Sequence, residues 1–355
     1  MNIKINENRF SMRKFLYALF ALSMMACSED IADSNLDNQT LPINLSSTYP
    51  VAGQTRATDN GFVADDAVGI FVVDYNKDGT PGTPVLKGNR ASNVKFIYDG
   101  GAWSASYQLY WADGAKTPAD FYGYYPYDIA MSSVTAYPFT VDNNQDSTAI
   151  SSGYEASDLL WAKAEKVQPT TEVVNLQYKH LMAGVTVALE MGCGFTASEW
   201  NELEKAVLIE NTVTNGTVDL SKGTCALGNG GIEPIKPLIY NGVWRAVVFP
   251  QSVAAGKTLL SITVDGQNYS LVKDAATNYL SGKMHNFTIT VNRSELTGDL
   301  SFALKADDIV AWVDDPNLHD GLMRQYTVVK LDEAGTLEQV LKEKGLDKDK
   351  IMSLY

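Results

Sequence analysis

Few side chains in the sequence could perform catalysis. The 355 residues contain three histidines and three cysteines: His180, His285, His319, Cys27, Cys193 and Cys225. No serine lies in a G-x-S-x-G turn, no H-E-x-x-H pair is present, and no Walker lysine follows a glycine-rich loop. Carboxylates are plentiful, but no spacing selects two of them as a glycosidase pair. The sequence therefore predicts a protein that is not an enzyme and carries no cofactor.

One loop has the residue pattern of a calcium site. Asp74, Asn76, Asp78 and Gly79 form the D-x-N-x-D-G opening of such a loop. Its twelfth position is Val85, which cannot supply the bidentate carboxylate that closes the coordination shell, and the flanking residues are strand-like. We therefore expect a polar turn and no metal site.

The histidines and the two distal cysteines have structural interpretations. His180 and His285 lie in strand-like segments, where we expect half-buried rings hydrogen-bonded to the backbone. Cys193 and Cys225 could pair in an oxidising compartment, but spacing alone does not establish the close Cβ approach that a disulfide needs. Two separate buried thiols are the favoured interpretation.

Aromatic residues cluster between positions 103 and 127: Trp103, Tyr107, Tyr110, Trp111, Phe121, Tyr122, Tyr124, Tyr125 and Tyr127. Aromatic platforms can stack on sugars, and Trp111 and Tyr125 are the candidates for such a role. Aromatic side chains also suit the half-buried faces of a sheet. Core packing is the favoured interpretation of the cluster.

The N-terminus has the layout of an export signal. Basic residues precede an apolar run from Phe15 to Ala26, which is shorter than the ~20 apolar residues that a membrane span requires. The run ends in M-M-A-C, which resembles a bacterial lipobox and would make Cys27 the lipid-modified residue. Residues 28–30 (SED) resemble the acidic signal that sends Bacteroidetes lipoproteins to the outer surface. We expect a lipid-anchored protein on the outer membrane.

Charge and patterning limit the partner and the fold. The formal charge of −14 argues against nucleic acid, which requires a basic face. Alternating apolar residues flank the turns at 99–101 and 265–266, which predicts two hairpins. Capping-box spacing at Thr196–Glu199 and Thr336–Gln339 predicts two helices. Short strands separated by turns favour an all-β sandwich architecture.

Several segments resemble the fimbrillin family of Bacteroidetes. In chain order they are ADDAVGIFVVDYN, ASNVKFIYDGGAW, YWADG, ADFYGYYPYD, LLWAKAE, LQYKHLMAGVTVAL and SGKMHNFTITVN. The resemblance implies two transthyretin-like β-sandwich domains in tandem, exported as a lipoprotein subunit of a pilus or as an adhesin. The expected divisions are 1–27 signal and lipobox, 28–56 tether and removable strand, 57–192 first sandwich, 193–300 second sandwich, and 301–355 an appendage with a short helix.

The resemblance also implies a route of assembly. A trypsin-like protease cuts members of the family after an arginine, the preceding strand leaves, and a strand from another subunit fills the groove. Here Arg56 precedes Ala57 in a polar stretch, and the alternating segment 43–51 lies upstream as the removable strand. The expected partners are other fimbrillin-like subunits, the protease, and a surface receptor or glycan. A glycan-capturing lipoprotein is the alternative function.

Two further motifs lie outside this scheme. The C-terminal stretch from Tyr326 resembles the opening cap of a surface leucine-rich repeat domain, although no repeats follow. The triplet Asp146-Ser147-Thr148 resembles the O-glycosylation motif of Bacteroidetes, with Ser147 as the acceptor. An unmodified polar turn is the competing interpretation.

Overall fold

The central sheet of the molecule is buried on both faces. A computed structural model describes residues 41–50, 62–147 and 153–312. Strands are numbered along the chain, and this sheet has the order β4-β3-β2-β5-β7-β9. Its strands are β2 (Ala67–Asp74), β3 (Ala91–Tyr98), β4 (Trp103–Ala105), β5 (Ala119–Tyr125), β7 (Leu160–Val167) and β9 (Lys179–His180).

Alternate residues of the central sheet enter two different cores. In β2, Val68, Ile70 and Val72 face a smaller N-terminal core, whereas Phe71 and Val73 face a larger one. Successive side chains of a strand point to opposite faces, so a nearly continuous apolar run fits a strand that is covered on both sides. The run AVGIFVVD is such a strand, and only its two end residues are less than fully buried.

Two more sheets pack as a sandwich around the larger core. The five-stranded sheet, β15-β16-β10-β21-β22, contains β10 (Ala183–Met191), β15 (Leu238–Tyr240), β16 (Val243–Val248), β21 (Lys283–Arg293) and β22 (Leu300–Ala311). The four-stranded sheet, β14-β11-β18-β19, contains β11 (Lys205–Val213), β14 (Ile232–Ile235), β18 (Thr258–Val264) and β19 (Gln267–Val272). Val187, Ile262 and Phe287 are among the fully buried residues of this core.

In the described part of the chain, the remaining strands form three small sheets, and two short helices lie between strands. The small sheets are β1 (Asn44–Thr48) with β8 (Val173–Gln177), β13 (Thr224–Leu227) with β12 (Asn215–Asp219) and β6 (Tyr137–Thr140), and β17 (Gln251–Val253) with β20 (Thr277–Tyr279). The helices of the described residues are α1 (Gly153–Ser157) and α2 (Ala197–Glu202). The predicted all-β architecture is confirmed.

Local signals in the sequence are confirmed by the structure. The predicted hairpins are β3–β4 and β18–β19. In the second turn Asp265 and Gly266 both have positive φ, at 48° and 73°, as a type I′ turn requires. The hydroxyl of Thr196 accepts from the N–H of Glu199, and the carboxylate of Glu199 accepts from the N–H of Thr196, which completes the capping box of α2. The second predicted helix, at Thr336, lies outside the described residues.

β10 belongs to a different sheet from the strand that precedes it. β10 ends at Met191, yet it pairs with β16 on one side and β21 on the other, so the change of sheet falls between β9 and β10. Residues 301–311, expected in an appendage, belong to β22, which pairs with β21 along its whole length. The division into two tandem domains stays a prediction.

Candidate functional site

The segment Leu41–Thr48 lies in a groove between two parts of the chain. β1 runs parallel to β8, with Asn44 opposite Val173 and Thr48 opposite Gln177. On its other side the N–H of Ile43 donates to the carbonyl of Leu109 at 2.8 Å, and the N–H of Trp111 donates to the carbonyl of Leu41 at 2.9 Å. The segment is therefore held as an inserted strand, with hydrogen bonds to both neighbours.

The buried side chains of this segment complete the N-terminal core. Ile43 is 4% exposed, and Leu41, Leu45 and Tyr49 are partly buried against the same core. Full burial of an isoleucine side chain contributes about 1.5–3 kcal/mol. Removal of the segment would therefore expose apolar side chains of this core to water.

Two side chains of the groove bind the main chain of the strand. Gln108 Nε2 donates to the carbonyl of Ile43 at 3.0 Å, and Trp103 Nε1 donates to the carbonyl of Ser47 at 3.3 Å. Both partners are carbonyl oxygens, so neither bond depends on which side chain the strand carries. The sequence did not single out Gln108, and it assigned Trp103 to a hairpin strand and an aromatic cluster.

Several aromatic rings meet around Phe62 at the end of the segment, directly after Thr48. The ring of Phe62 makes edge contacts with Tyr49, Trp103, Tyr125 and Tyr178, at centroid distances of 5.3, 4.8, 5.5 and 5.4 Å. The described residues on either side of 51–61 therefore meet in one cluster. Arg56 and Ala57, the predicted cleavage site, lie outside the described residues, as does Cys27.

The hydroxyl of Tyr125 is hydrogen-bonded to the carboxylate of Asp66. The hydroxyl donates to Asp66 Oδ1 at 3.1 Å, while Asp66 Oδ2 accepts from the N–H of Val63 at 2.6 Å. Burial raises the pKa of Tyr125, and the negative charge of Asp66 adds to this effect. Burial and the nearby Asp66 also raise the pKa of Glu155. Tyr125 is thus a structural group, and its hydroxyl already has a partner.

Trp111 is a core residue and cannot stack on a glycan in this conformation. It is 4% exposed, its Nε1 donates to the carbonyl of Thr170 at 3.2 Å, and its ring meets Phe121 at 5.5 Å. Core packing, the favoured interpretation, is confirmed for Trp111. The exposed aromatic side chains of the cluster are Tyr107 and Tyr110, at 54% and 41%.

The calcium-like loop uses its carboxylates internally. Asp74 binds the guanidinium of Arg90 through Nε at 3.0 and 2.9 Å and through a second nitrogen at 2.9 Å. Asp78 accepts from the N–H and the hydroxyl of Thr80, at 2.9 and 2.6 Å, and these bonds lower the pKa of Asp78. Asn76 also bonds the Thr80 hydroxyl. The carboxylates of Asp74 and Asp78 are therefore bound by other residues of the protein.

We expect chelation to leave the stability unchanged. Because Arg90 holds Asp74 and the twelfth position is Val85, the loop offers calcium no complete set of ligands. The melting temperature should be the same in EDTA and in millimolar calcium, as measured by calorimetry. A calcium-dependent rise would contradict the polar-turn interpretation, since a ligand that binds the folded state stabilises it.

The two buried histidines differ in their partners. His285 Nε2 accepts from the N–H of Leu280 at 3.3 Å, as expected for a backbone-bonded ring, and burial lowers the pKa of His285. His180 Nδ1 instead lies 2.9 Å from both oxygens of Asp158. A buried carboxylate thus stands beside the Nδ1 of His180, a partner that the sequence did not indicate. Both rings are fully buried rather than half-buried.

The two cysteines of the described residues do not form a disulfide. Cys193 and Cys225 are free thiols, as favoured, but Cys193 is exposed rather than buried. Burial raises the pKa of Cys225 to about 11, which disfavours its reactive thiolate.

Ser147 is half-buried, and the adjacent Asp146 forms an ion pair with Lys236 at 2.9 Å. Glycosylation of Ser147 stays a prediction.

Neither a metal cluster nor a membrane-spanning helix is found among the residues that the structure describes. No group of three or more His, Cys, Asp or Glu side chains there could hold a metal ion. No helix in that part of the chain is long and apolar enough to cross a bilayer. What the geometry does provide is a β-sandwich protein whose groove holds an extended strand through main-chain bonds.

Comparison with known proteins gives this class a family. The sequence profile of the fimbrillin-like family matches residues 55–304, and the chain belongs to that family. A relative from Bacteroides uniformis, described as a fimbrium subunit, is 26% identical over 287 residues, which cover 78% of this chain and 89% of the relative. The family match and the fimbrium subunit among its relatives agree with the predicted place in a fimbrium.

Solved structures share the fold. A cell adhesion protein from Bacteroides uniformis superposes with a TM-score of 0.56 at 20% identity, covering 76% of this chain and 99% of its own. A second, from Bacteroides ovatus, gives a TM-score of 0.56 at 16% identity, covering 78% of this chain and 99% of its own.

Proposed function

We propose that this protein is a surface subunit of a fimbria that assembles by strand exchange. Its own N-terminal strand fills the groove before assembly, and a strand from another subunit fills it afterwards. The observation that carries the proposal is the binding of Leu41–Thr48 on both sides of its main chain. A strand held in this way can be replaced by another extended segment, because the hydrogen bonds supply affinity whatever the sequence.

Cleavage after Arg56 is the step proposed to open the groove. The cut separates Leu41–Thr48 from the central sheet covalently, while the non-covalent contacts still hold it. A trypsin-like protease should cut the purified protein between Arg56 and Ala57, and the cut protein should form SDS-resistant ladders. The Arg56→Ala variant should fold with an unchanged melting temperature and remain monomeric. Ladders from uncut Arg56→Ala protein would contradict the proposal.

The groove itself can be tested with peptides. After cleavage, a synthetic peptide of residues 41–50 should bind and suppress ladder formation. The same peptide carrying Ile43→Asp should bind at least tenfold more weakly, because it places a charge where Ile43 is buried. The protein variant Gln108→Leu should weaken both peptides by a similar factor, since Gln108 binds a main-chain carbonyl.

Membrane attachment through Cys27 is a separate part of the proposal. The lipobox-like M-M-A-C after a basic and apolar lead supports acylation at Cys27. The Cys27→Ser variant should leave the detergent phase and appear in the soluble fraction, whereas Cys193→Ser should partition as the unmodified sequence does. Unchanged partitioning of Cys27→Ser would contradict the anchor.

Glycan capture is the weaker alternative. Trp111 is buried and the Tyr125 hydroxyl is bonded to Asp66, so neither of its candidate residues presents a free ring. Binding to a glycan array that is lost on substitution of the exposed Tyr107 or Tyr110 would support this alternative.

A further inference from the structure

Four side chains connect the end of β1, which Tyr49 follows directly, with the end of β22, which Trp312 follows directly. The Tyr49 hydroxyl lies 3.4 Å from Asp158 Oδ2, and the Tyr49 ring makes an edge contact with His180 at 5.8 Å. Asp158 binds His180 Nδ1 at 2.9 Å. The His180 ring in turn stacks on Trp312, with 3.9 Å between centroids and 4° between planes. We call Tyr49, Asp158, His180 and Trp312 the junction.

The junction is buried, so its contacts depend on one another. Asp158, His180 and Trp312 are 4%, 1% and 4% exposed. A buried carboxylate or imidazole that loses a partner is costly, because its polar atoms are left unsatisfied in a medium of low dielectric. Tyr49 supplies one of the bonds to Asp158 and one of the rings that cover His180.

Trp312 fixes an end of β22 that has little other burial. The last five residues of β22 are all exposed, and the strand lies at the edge of its sheet, where it pairs with β21 alone. Trp312 follows directly; its N–H donates to the carbonyl of Gly282 at 3.0 Å. Its indole packs over Gly184, where a Cβ would lie 3.3 Å from Trp312 Cδ2. Among the described residues, Trp312 is the buried anchor at this end of β22.

We propose that the junction makes the attachment of this end of β22 depend on the strand that occupies the groove. When the N-terminal strand leaves with Tyr49, Asp158 loses a hydrogen bond and one edge of His180 meets water. The stack of His180 on Trp312 is then weakened, and the end of β22 opens more often. The inference rests on the proposed departure of the N-terminal strand. It adds that this departure increases the opening of β22, in the five-stranded sheet.

Hydrogen exchange can measure the coupling in the full chain. Tyr49→Ala should speed the exchange of the amides of residues 310–312 about tenfold, within the range of ordinary coupling between sites. Tyr49→Phe, which keeps the ring and removes only the hydroxyl, should give a smaller increase. Thr48→Ala is the matched control: the Thr48 hydroxyl donates to Asn175 of β8 and not to a side chain of the junction, so exchange at 310–312 should not change.

A double-mutant cycle separates coupling from general destabilisation. In Trp312→Ala, exchange at 310–312 should already be fast, and adding Tyr49→Ala should change it less than twofold. The amides of β3 should be unaffected in every variant. Equal acceleration by Tyr49→Ala with and without Trp312, or no acceleration at all, would overturn the proposal.

The cleaved protein distinguishes this inference from the proposed function. Fast exchange in β8 after cleavage would report that the N-terminal strand has left. Fast exchange in β8 with unchanged exchange at 310–312 would overturn the junction and leave strand exchange intact. If the cleaved N-terminal fragment stays bound in every subunit of the ladders, as mass spectrometry would show, the proposed function fails, and the Tyr49 variants still decide whether the junction couples the two strands.

Discussion

Replacing Trp111 with alanine should lower the free energy of unfolding by about 3–5 kcal/mol, the usual cost of truncating a buried aromatic side chain. The substitution would leave a cavity beside Phe121 and remove the donor to the carbonyl of Thr170. The main-chain N–H of residue 111 would still be present to donate to the carbonyl of Leu41, so the loss of stability reports on the side chain. Calorimetry should show a melting temperature lower by roughly 10 °C.

The neighbouring Tyr110 provides the control for this result. Tyr110 is 41% exposed, and its carbonyl, not its side chain, accepts from Arg90. Tyr110→Ala should therefore change the stability by less than about 0.5 kcal/mol. A Trp111→Ala protein with an unchanged melting temperature that had lost glycan binding would contradict the core assignment and revive the glycan alternative.

Features that depend on neighbouring residues could be predicted from the sequence. The turn after β3 is one example, since Asp99 Oδ1 accepts from the N–H groups of Gly101 and Ala102, all within three residues. The capping box at Thr196 and the hairpin at Asp265 are similar cases. Their chemistry is local, so no knowledge of the tertiary structure is needed.

Pairings between distant residues could not be predicted in the same way. β1 pairs with β8 more than 120 residues later, and β10 pairs in opposite senses with β16 and β21. Periodicity assigns a residue to a strand but does not specify the partner strand. Residues 301–311 were expected in an appendage because they follow the last segment that resembles the fimbrillin family. As part of an exposed edge strand they carry charges such as Asp307 and Asp308, which weaken the apolar pattern.

The groove illustrates the same limit at the level of function. The alternating segment from Ile43 was recognisable as a strand, but Gln108 and Trp103 bind its carbonyls from 65 and 56 residues away. The junction joins Tyr49 to Trp312 through two residues in the middle of the chain. His180 carried a signal, since a histidine in an apolar strand needs a partner, but nothing in the sequence identified Asp158 as that partner.

A glycine inside a buried strand gives the other large predicted effect. Gly69 of β2 lies directly opposite Tyr124 of β5, and a Cβ on Gly69 would lie 2.0 Å from Tyr124 Cε1. The ring cannot move aside easily, because Tyr124 is 1% exposed and its hydroxyl donates to Asn93 Oδ1 and accepts from the N–H of Asp128. Gly69→Ala should therefore cost about 3 kcal/mol, at the upper end of overpacking effects.

Gly231 is the matched control, because a Cβ there meets no atom within 4 Å and no positive φ disfavours alanine. Gly231→Ala should leave the midpoint of urea unfolding unchanged, whereas Gly69→Ala should lower it. On a Tyr124→Ala background, Gly69→Ala should cost clearly less, since the clashing ring is gone and, of the three nearest atoms, only Asn93 Oδ1, 2.7 Å from the Cβ position, remains. An equal cost on both backgrounds would mean that strand conformation, and not the contact with Tyr124, requires glycine at this position.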